Sequence, residues 1–189
     1  MITFQSILSE LITKQKHPIG GGVEHEVYGT KNNSNSVFKV GFKKTIDKWF
    51  YIFNSNPNIF PIIYKRGVLK HSGQHEKDYV QLEKLNTKKV INEWDKLQNA
   101  FIILGQIDED SFGTMDYLFR ECLYDEGYSR EMEEKLKTLN KPLYDLFVKW
   151  VNFLHMVNLV VQPIKGSPVD LHRHNFGYSS TGKMKCLDI

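Results

Sequence analysis

The longest regular pattern of apolar and polar residues in this chain lies in its last third. Between residues 143 and 161, apolar side chains recur at every third or fourth position: Leu143, Leu146, Phe147, Trp150, Leu154, Val157 and Val161. This spacing places them on one face of an α-helix, and Pro142 just before them suits the first helical turn. We predict one long helix whose apolar face is covered by residues 87–139 or by a second chain. Cover by residues 87–139 is favoured, with part of the apolar surface left exposed.

Shorter stretches with the same spacing predict four further helices. They cover residues 3–14, residues 45–53, residues 131–139 and the segment from Val90 to Phe101. Asn86 and Thr87 precede the last of these segments and supply a helix cap. Residues 105–128 are acidic, contain glycine and show weak periodicity, so we predict that they are partly loop.

Strand-like runs lie mainly in the first half of the chain. Residues 19–40 contain two β-branched and aromatic segments around a polar turn at residues 29–36, which predicts a hairpin. Two further strand candidates, residues 60–69 and 78–85, flank the polar residues 71–75. The strand-rich part therefore ends near residue 85, and a helical part begins there.

Composition restricts the class of protein. The 189 residues are 41% hydrophobic, carry a net charge of +3 and include two cysteines, too few for a disulfide framework. No stretch reaches the ~18 apolar residues of a membrane-spanning helix, and residues 1–5 do not resemble the start of a signal peptide. The sequence also contains no basic arm and no nucleic-acid-binding motif. We therefore expect a compact cytoplasmic protein with no nucleic-acid partner and no membrane partner.

Acid and amide side chains near the C-terminus are suited to metal and phosphate chemistry. Asp170 is followed five residues later by Asn175, and Asp188 stands thirteen residues beyond that, at the end of an apolar segment. Carboxylate and amide oxygens are ligands that Mg²⁺ prefers. Each residue alone is commonly a turn residue that hydrogen-bonds its own backbone, so the prediction depends on their order and spacing together.

A glycine-rich segment near the N-terminus is a second candidate for phosphate binding. Gly20, Gly21 and Gly22 precede a strand-like segment near Val27, and Lys39 lies in the next strand-like segment. Glycines let backbone N–H groups approach phosphate oxygens closely. A dinucleotide-binding (Rossmann) loop would need a helix directly after the glycines. A hairpin is predicted there instead, so we reject the Rossmann interpretation.

The order of these motifs resembles the core of the protein-kinase superfamily. That core contains a glycine loop, a strand lysine, a long helix, an Asp-x₄-Asn loop and a strand-terminal Asp. This chain has them in the same order, although His25 occupies the place of the loop's third glycine. The loop around Asp170 is similar to those of aminoglycoside-phosphotransferase-type enzymes and of compact kinase-like proteins from bacteria and phages.

The resemblance implies a two-lobed α+β fold and a function. Residues 1–85 correspond to an N-lobe with a small antiparallel sheet, and residues 86–189 to a reduced helical C-lobe with the catalytic loop. The implied activity is ATP- and Mg²⁺-dependent transfer of a phosphoryl group to a hydroxyl of a protein or small molecule. The implied nucleotide-binding residues are Gly20, Gly21, Gly22, Val27 and Lys39, together with the backbone of Glu83, Lys84 and Leu85 at the adenine edge. The implied catalytic roles are proton acceptance by Asp170 and metal binding by Asn175 and Asp188.

Three departures from the family pattern favour an alternative function. Pro168 and Val169 replace the His and Arg that precede the catalytic Asp, and the helix after Lys39 contains Asp47 but no Glu. The sequence also stops one residue after Asp188, where an activation loop and a peptide-binding lower lobe would follow. The alternative is a catalytically weak or inactive kinase-like (pseudokinase) module that acts through a protein partner, such as a host protein or a second copy.

Side chains next to Asp170 allow further interpretations. His172 and His174 invite a zinc hypothesis, but zinc sites show tighter spacing and more cysteines, so we reject it. Arg173 suits either an anionic group of the substrate or an ordinary surface position. His155, near the end of the long helix, is expected to be a structural rather than a catalytic residue.

Overall fold

The structure is a computed structural model with an α+β arrangement of helices and antiparallel sheets. It describes residues 20–21, 25–30, 34–69, 77–107, 114–166 and 169–188. The chain divides into two compact units. The sheet unit comprises residues 1–85 and 179–185, and the helical unit comprises residues 86–178 and 186–189. Residues 179–185, which the sequence grouped with the helical part, thus belong to the sheet unit. The helix predicted at residues 3–14 lies outside the described residues.

The described part of the sheet unit contains a five-stranded antiparallel sheet with a helix after its third strand. The strands are β1 (Gly20–Gly21), β2 (His25–Gly29), β3 (Ser36–Phe42), β4 (Ile63–Leu69) and β5 (Lys77–Glu83), in the order β1-β2-β3-β5-β4. Helix α1 spans Lys43–Ser55. The predicted hairpin and both strand candidates are confirmed, although the strand predicted at residues 60–69 begins later, at Ile63, and the strand predicted at residues 78–85 ends earlier, at Glu83.

Helix α1 packs against β3 and β5 through apolar residues three or four positions apart. Its buried residues are Ile46, Trp49, Ile52 and Phe53. The Phe53 ring stacks on Phe60 with the centroids 4.7 Å apart. The helix ends at Ser55, since the Asn56 side chain donates to the Ile52 carbonyl and Pro57 has no N–H with which to continue the helix.

The described part of the helical unit contains four α-helices. These are α2 (Thr87–Ile103), α3 (Thr114–Tyr124), α4 (Glu126–Leu139) and α5 (Lys141–Lys165). Three of them begin with a side-chain cap, because Asn86, Asp125 and Asn140 each accept a hydrogen bond from the backbone N–H three residues later. The predicted long helix and the cap at Asn86 are therefore confirmed. The helix predicted at residues 131–139 begins earlier, directly after the Asp125 cap.

Aromatic side chains form the core of the helical unit. Trp94 of α2 and Trp150 of α5 are buried and meet edge to face, with the ring centroids 5.4 Å apart. Phe119 of α3 stacks on Phe147 of α5 at 5.8 Å. The apolar face of α5 is therefore covered by α2, α3 and α4, as the sequence predicted for residues 87–139. Truncating a buried aromatic of this size to alanine costs about 3–5 kcal/mol, so these rings are a large part of the unit's stability.

Residues 105–128, which the sequence predicted to be partly loop, are helical over residues 114–124, which form α3, and from Glu126 onward, whereas residues 105–107 and Asp125 lie outside helices. The buried residues of this helix are Met115, Leu118, Phe119 and Cys122, which have the spacing of one helical face. Charged residues between them made the segment look weakly periodic. The burial of this face against α5 and α2 decided the structure, because a helix of this length is marginal in water without tertiary packing.

The chain after α5 passes through a loop into a short hairpin. A 3₁₀ helix (Arg173–Asn175) precedes β6 (Phe176–Tyr178), which pairs with β7 (Met184–Cys186). Gly182 has a φ of +79°, a left-handed conformation that glycine adopts without strain, and its N–H closes the turn by donating to the Ser179 carbonyl. Across the described ranges, none of the helices has the length and apolar character needed to cross a membrane.

Candidate functional site

The loop that carries Asp170 is held by its two neighbours. Val169 and Leu171 are each 1% exposed, whereas Asp170 between them is exposed. The Val169 N–H donates to the Oδ1 of Asn158, a buried residue of α5, at 3.4 Å. Pro168 and Val169 stand where the family pattern has a His and an Arg before the catalytic Asp. In the structure, an amide from α5 supplies a support to Val169, while Pro168 lies outside the described residues.

Asn175 contacts Asp170 directly. Its Nδ2 donates to the Asp170 carboxylate Oδ2 at 3.0 Å and to the Asp170 carbonyl at 3.2 Å. The 3₁₀ turn brings the two residues together, and the Asn175 N–H closes that turn by donating to the His172 carbonyl at 2.7 Å. An asparagine amide has one donor end and one acceptor end. Because the donor end faces Asp170, the Oδ1 of Asn175 is the atom suited to ligate a cation.

Asp188 lies on a segment that is fastened to the same loop. The N–H of Leu187, its neighbour in the chain, donates to the Asn175 carbonyl at 2.6 Å, and the Cys186 thiol donates to the Asp188 carbonyl at 2.9 Å. Asp188 itself is half-buried. Of the three residues that the sequence predicted as one site, Asp170 and Asn175 are therefore in direct contact, and Asp188 follows a residue whose backbone bonds to Asn175.

The donor set of this loop fits a hard cation that takes further ligands from elsewhere. Among the described residues, no group of three or more His, Cys, Asp or Glu side chains is placed to hold a metal ion. Mg²⁺ in nucleotide sites is commonly bound through one or two carboxylates, with phosphate oxygens and water completing its coordination. The Asp188 carboxylate and the Asn175 amide oxygen therefore suit Mg²⁺ bound with a nucleotide.

A carboxylate that the sequence did not single out, Asp116 of α3, lies near this loop. Burial raises the pKa of Asp116, and the negative charge of Asp170 raises it further, against the opposing positive charges of His172 and Arg173. Asp116 is not among the sequence-predicted site residues, because its segment is predicted to be partly loop. The spacing of Met115 and the apolar residues after it carried the signal for a helix.

Arg173 and the two histidines contact each other or the helices of this unit. Arg173 Nη1 forms an ion pair with Asp95 Oδ1 of α2 at 2.8 Å. An exposed pair of this kind contributes about 0–1 kcal/mol, so it orients Arg173 more than it stabilises the fold. The rings of His172 and His174 stack with centroids 5.0 Å apart. Burial lowers the pKa of His174, and the adjacent positive charges lower it further.

Strand β6, directly after the loop, is fastened to two helices by one carboxylate. Glu93 of α2 accepts hydrogen bonds from the Tyr178 hydroxyl at 2.6 Å and from Trp150 Nε1 of α5 at 3.0 Å. Burial raises the pKa of Tyr178, and its hydrogen bond to Glu93 raises it further, so the hydroxyl remains a donor at neutral pH. No local sequence pattern predicts this contact, because it joins residues 85 positions apart.

In the sheet unit, the predicted phosphate-binding lysine is buried. Lys39 of β3 is 3% exposed, and its Nζ lies 3.4 Å from the centroid of the Trp49 ring of α1. Asp47, the helix acid, forms an ion pair with Arg66 of β4, which also donates to Asp78 of β5 at 3.1 Å. Asp47, the acid that the sequence places in the helix after Lys39, is thus paired with Arg66 of β4.

The glycine segment is described only in part. Gly20 and Gly21 form β1, and Gly20 pairs with Val27 of β2. These three predicted residues therefore lie side by side at the edge of the sheet, whereas Gly22 lies outside the described residues. Val27 in turn pairs with Lys39 of β3. The backbone of Gly20 and the residue Lys39 therefore lie on either side of Val27 in the sheet.

The segment predicted to contact adenine uses two of its three N–H groups within the sheet unit. The Glu83 N–H donates to the Ile62 carbonyl at 2.9 Å, and the Lys84 N–H donates to the Asn35 carbonyl at 2.8 Å. Of the three predicted residues, Leu85 is therefore the one whose N–H can serve a ligand. The Glu83 side chain is buried and accepts from the Ile62 N–H at 3.4 Å, which is a structural role.

A second buried lysine lies in the sheet unit. Lys185 is 4% exposed, and its Nζ donates to the carbonyls of Pro57 and Phe60. Burial lowers the pKa of Lys185, and the negative charge of Glu83 opposes that change. Nothing in the local sequence signals this role, because an alternating Met184–Cys186 segment with a central lysine is typical of a half-exposed strand.

The sequence-predicted site residues therefore fall into two sets. Asp170, Asn175 and Asp188 lie in the helical unit, and the nucleotide-binding candidates lie in the sheet unit. Comparison of the chain with protein-family models found no match, and comparison with curated protein sequences found none either.

Proposed function

We propose that this protein is an ATP- and Mg²⁺-dependent phosphotransferase with a two-lobed, protein-kinase-like fold, acting on a hydroxyl of a protein or small molecule. One observation carries the proposal. An exposed Asp170 carboxylate accepts a hydrogen bond from Asn175 at 3.0 Å, and the Asn175 carbonyl is bonded to the residue that precedes Asp188. These are the three side chains that the family pattern assigns to proton acceptance and metal binding.

Asp170 is suited to accept the proton of the attacking hydroxyl. Its carboxylate is exposed, so an acceptor hydroxyl can approach it, and its backbone is held by the buried Val169 and Leu171. The Asn175 amide bonds Oδ2 and leaves Oδ1 to face the acceptor. A positioned base of this kind contributes about 10²–10⁴ in rate.

Asn175 Oδ1 and the Asp188 carboxylate would hold Mg²⁺. When bound, the ion supplies charge neutralisation on the transferred phosphoryl group. The contribution of this chain is to hold Asn175 on the loop and Asp188 on a segment that is hydrogen-bonded to that loop. Asn175 is oriented by its two hydrogen bonds to Asp170, and Asp188 is held next to it through the Leu187 N–H.

The sheet unit would bind the nucleotide. Gly20, Gly21 and Lys39 suit the phosphates, because glycine backbone and a lysine ammonium both attract anions. The Leu85 N–H suits adenine, since the N–H groups of Glu83 and Lys84 bond within the sheet unit.

Incubation of the protein with Mg²⁺ and γ-labelled ATP, alone and in a cell lysate, tests this function. We expect label to appear on an acceptor and to disappear with Asp170→Asn. The same protein should melt at a higher temperature with Mg²⁺ and ATP. The proposed function is wrong if two results occur together. Millimolar ATP, ADP and GTP leave the melting temperature unchanged in the presence of Mg²⁺ and in the presence of Mn²⁺, and no label is transferred.

A second candidate function is a kinase-like binding module that has lost catalysis. The exposed apolar residues in the last turns of α5 favour it: Met156 is 49% exposed, Leu159 75% and Ile164 47%. Such surface suits a protein partner, either a host protein or a second copy. Light scattering at high protein concentration separates these cases, because a second copy doubles the mass. A strict monomer that captures no protein from a lysate counts against the binding module.

A further inference from the structure

The carboxylate of Asp78 is fully buried but only half satisfied. Asp78 lies on β5 with 0% of its surface exposed. Arg66 Nη2 of β4 donates to its Oδ2 at 3.1 Å, whereas its Oδ1 is buried without a hydrogen-bond partner. Burial of a carboxylate oxygen costs folding free energy unless a hydrogen-bond donor or a cation contacts it. The unsatisfied Oδ1 therefore indicates that a donor or cation binds it when nearby side chains are arranged differently.

The register of the sheet shows which cation can approach. Val80 of β5 pairs with Arg66 of β4 on one side and with Lys39 of β3 on the other. Paired residues share a face of the sheet, and so do residues two positions apart on one strand. Asp78 is therefore a diagonal neighbour of both Arg66 and Lys39. Diagonal neighbours are about 7–8 Å apart, which a long side chain can span.

No side chain of β3 separates Lys39 from Asp78. The residue of β3 that pairs with Asp78 is Gly41, which has no Cβ. The Lys39 ammonium already lies beneath α1, since its Nζ is 3.4 Å from the centroid of the Trp49 ring. A lysine side chain is long enough to span a diagonal pair, so its ammonium can approach Asp78 by rotation about the side-chain bonds.

We propose that Asp78 is the positioning residue for Lys39 and that its Oδ1 receives the Lys39 ammonium. The inference deepens the proposed function and rests on it for its meaning, because a fixed ammonium is what the nucleotide phosphates need. Asp47, the helix acid, is 46% exposed and pairs with Arg66. Arg66 thus bridges Asp47 of α1 and Asp78 of β5. In this proposal the acid that pairs with Lys39 comes from strand β5 and not from helix α1.

Two double-mutant cycles with Lys39→Met and Asp78→Asn test the proposal on the full chain. In the first cycle, melting temperatures are measured without ligand. We expect Asp78→Asn to lower the melting temperature by at least about 3 °C more in the parent chain than in the Lys39→Met background. In the second cycle, Mg²⁺-ATP affinity is measured by titration. We expect Asp78→Asn to weaken this affinity about tenfold in the parent chain and less than about twofold in the Lys39→Met background, which lacks the ammonium.

Two further variants control for a merely structural effect. Asp47→Asn removes the other acid that binds Arg66, and it should change Mg²⁺-ATP affinity by less than about twofold. Asp78→Glu keeps the carboxylate, so it should recover part of the affinity that Asp78→Asn loses, and it serves in both cycles if Asp78→Asn does not fold.

The outcomes separate the inference from the proposed function. Coupling without ligand, in a chain that binds no nucleotide, supports the Lys39–Asp78 pair and rejects the phosphotransferase. Nucleotide binding with additive effects in both cycles rejects the pair and leaves the phosphotransferase standing. Additive effects together with no nucleotide binding reject both.

Discussion

Charged side chains are placed differently in the two units. In the sheet unit, Lys39 and Asp78 are 3% and 0% exposed, and each lies on the face of the sheet that α1 covers. In the helical unit, Asp170 is exposed, and Asn175 and Asp188 are half-buried. A buried charge depends on its neighbours for stability, whereas an exposed carboxylate depends on the backbone that carries it. Substitutions in the sheet unit should therefore change stability and binding together, whereas substitution of the exposed Asp170 should change chemistry alone.

Asp170→Asn should give the largest effect, because it should remove most phosphoryl transfer while leaving the fold intact. We expect phosphoryl transfer to fall by about 10²–10⁴, because the proton acceptor is lost. The melting temperature should change by less than about 2 °C, since the residue is exposed. Initial rates and thermal melting measure the two effects. Asp145→Asn, at an exposed acid of α5, is the matched control and should change neither. A large loss of stability with Asp170→Asn would contradict the comparison.

Asp188→Asn should remove the Mg²⁺-dependent part of nucleotide binding. At a hundredfold excess of Mg²⁺-ATP over its Kd, binding adds about 2.7 kcal/mol of stability, which raises the melting temperature by about 5–10 °C. The variant lacks a charged ligand for the cation and should lose most of this gain, whereas Asp170→Asn should keep it. Melting with ATP, in the presence and absence of Mg²⁺, provides the measurement. An equal loss in both variants would mean that the roles of base and metal ligand are wrongly assigned.

Asn158→Ala should show that the exposed loop depends on one buried contact. The substitution leaves the buried Val169 N–H without the acceptor it has in the structure, which costs about 1–3 kcal/mol. Transfer should slow as well, because Val169 precedes Asp170. Denaturant unfolding and initial rates test this expectation, with Asn152→Ala at an exposed position of the same helix as the control. If both variants behave alike, Asn158 does not support the loop.

Asp116→Asn should give the smallest effect, and its sign should depend on pH. Burial raises the pKa of Asp116 in the folded protein, so the folded state holds the proton more tightly than the unfolded state. The stability that this proton provides is present below the unfolded pKa of about 4 and is lost as pH rises through the folded pKa. The Asn variant should therefore melt higher than the parent at pH 7, and the difference should shrink towards pH 4. Asp145→Asn should show no such trend; a difference that grows towards pH 4 would contradict the assignment.

Local signals in the sequence were enough to predict several elements. The spacing from Leu143 to Val161 predicted α5, and Asn86 predicted the start of α2, because a helix pattern and its cap involve residues within a few positions. The hairpin around residues 29–36 followed from the same kind of local information. The grouping of Asp170, Asn175 and Asp188 also came from order and spacing, through the resemblance to a known family.

The tertiary structure alone decided how these elements support the site. Asn158 holds Val169 across 11 positions, and Glu93 holds Tyr178 across 85. The diagonal relation of Asp78 to both Arg66 and Lys39 exists only once β5 lies between β3 and β4. Helix α3 has the spacing of one apolar face, but the segment is short and rich in charged residues, and burial against α5 and α2 stabilises it as a helix. The periodicity of a sequence indicates which residues lie on the same face of a helix or strand. Packing between segments that are distant in the chain then determines which of these faces contact each other.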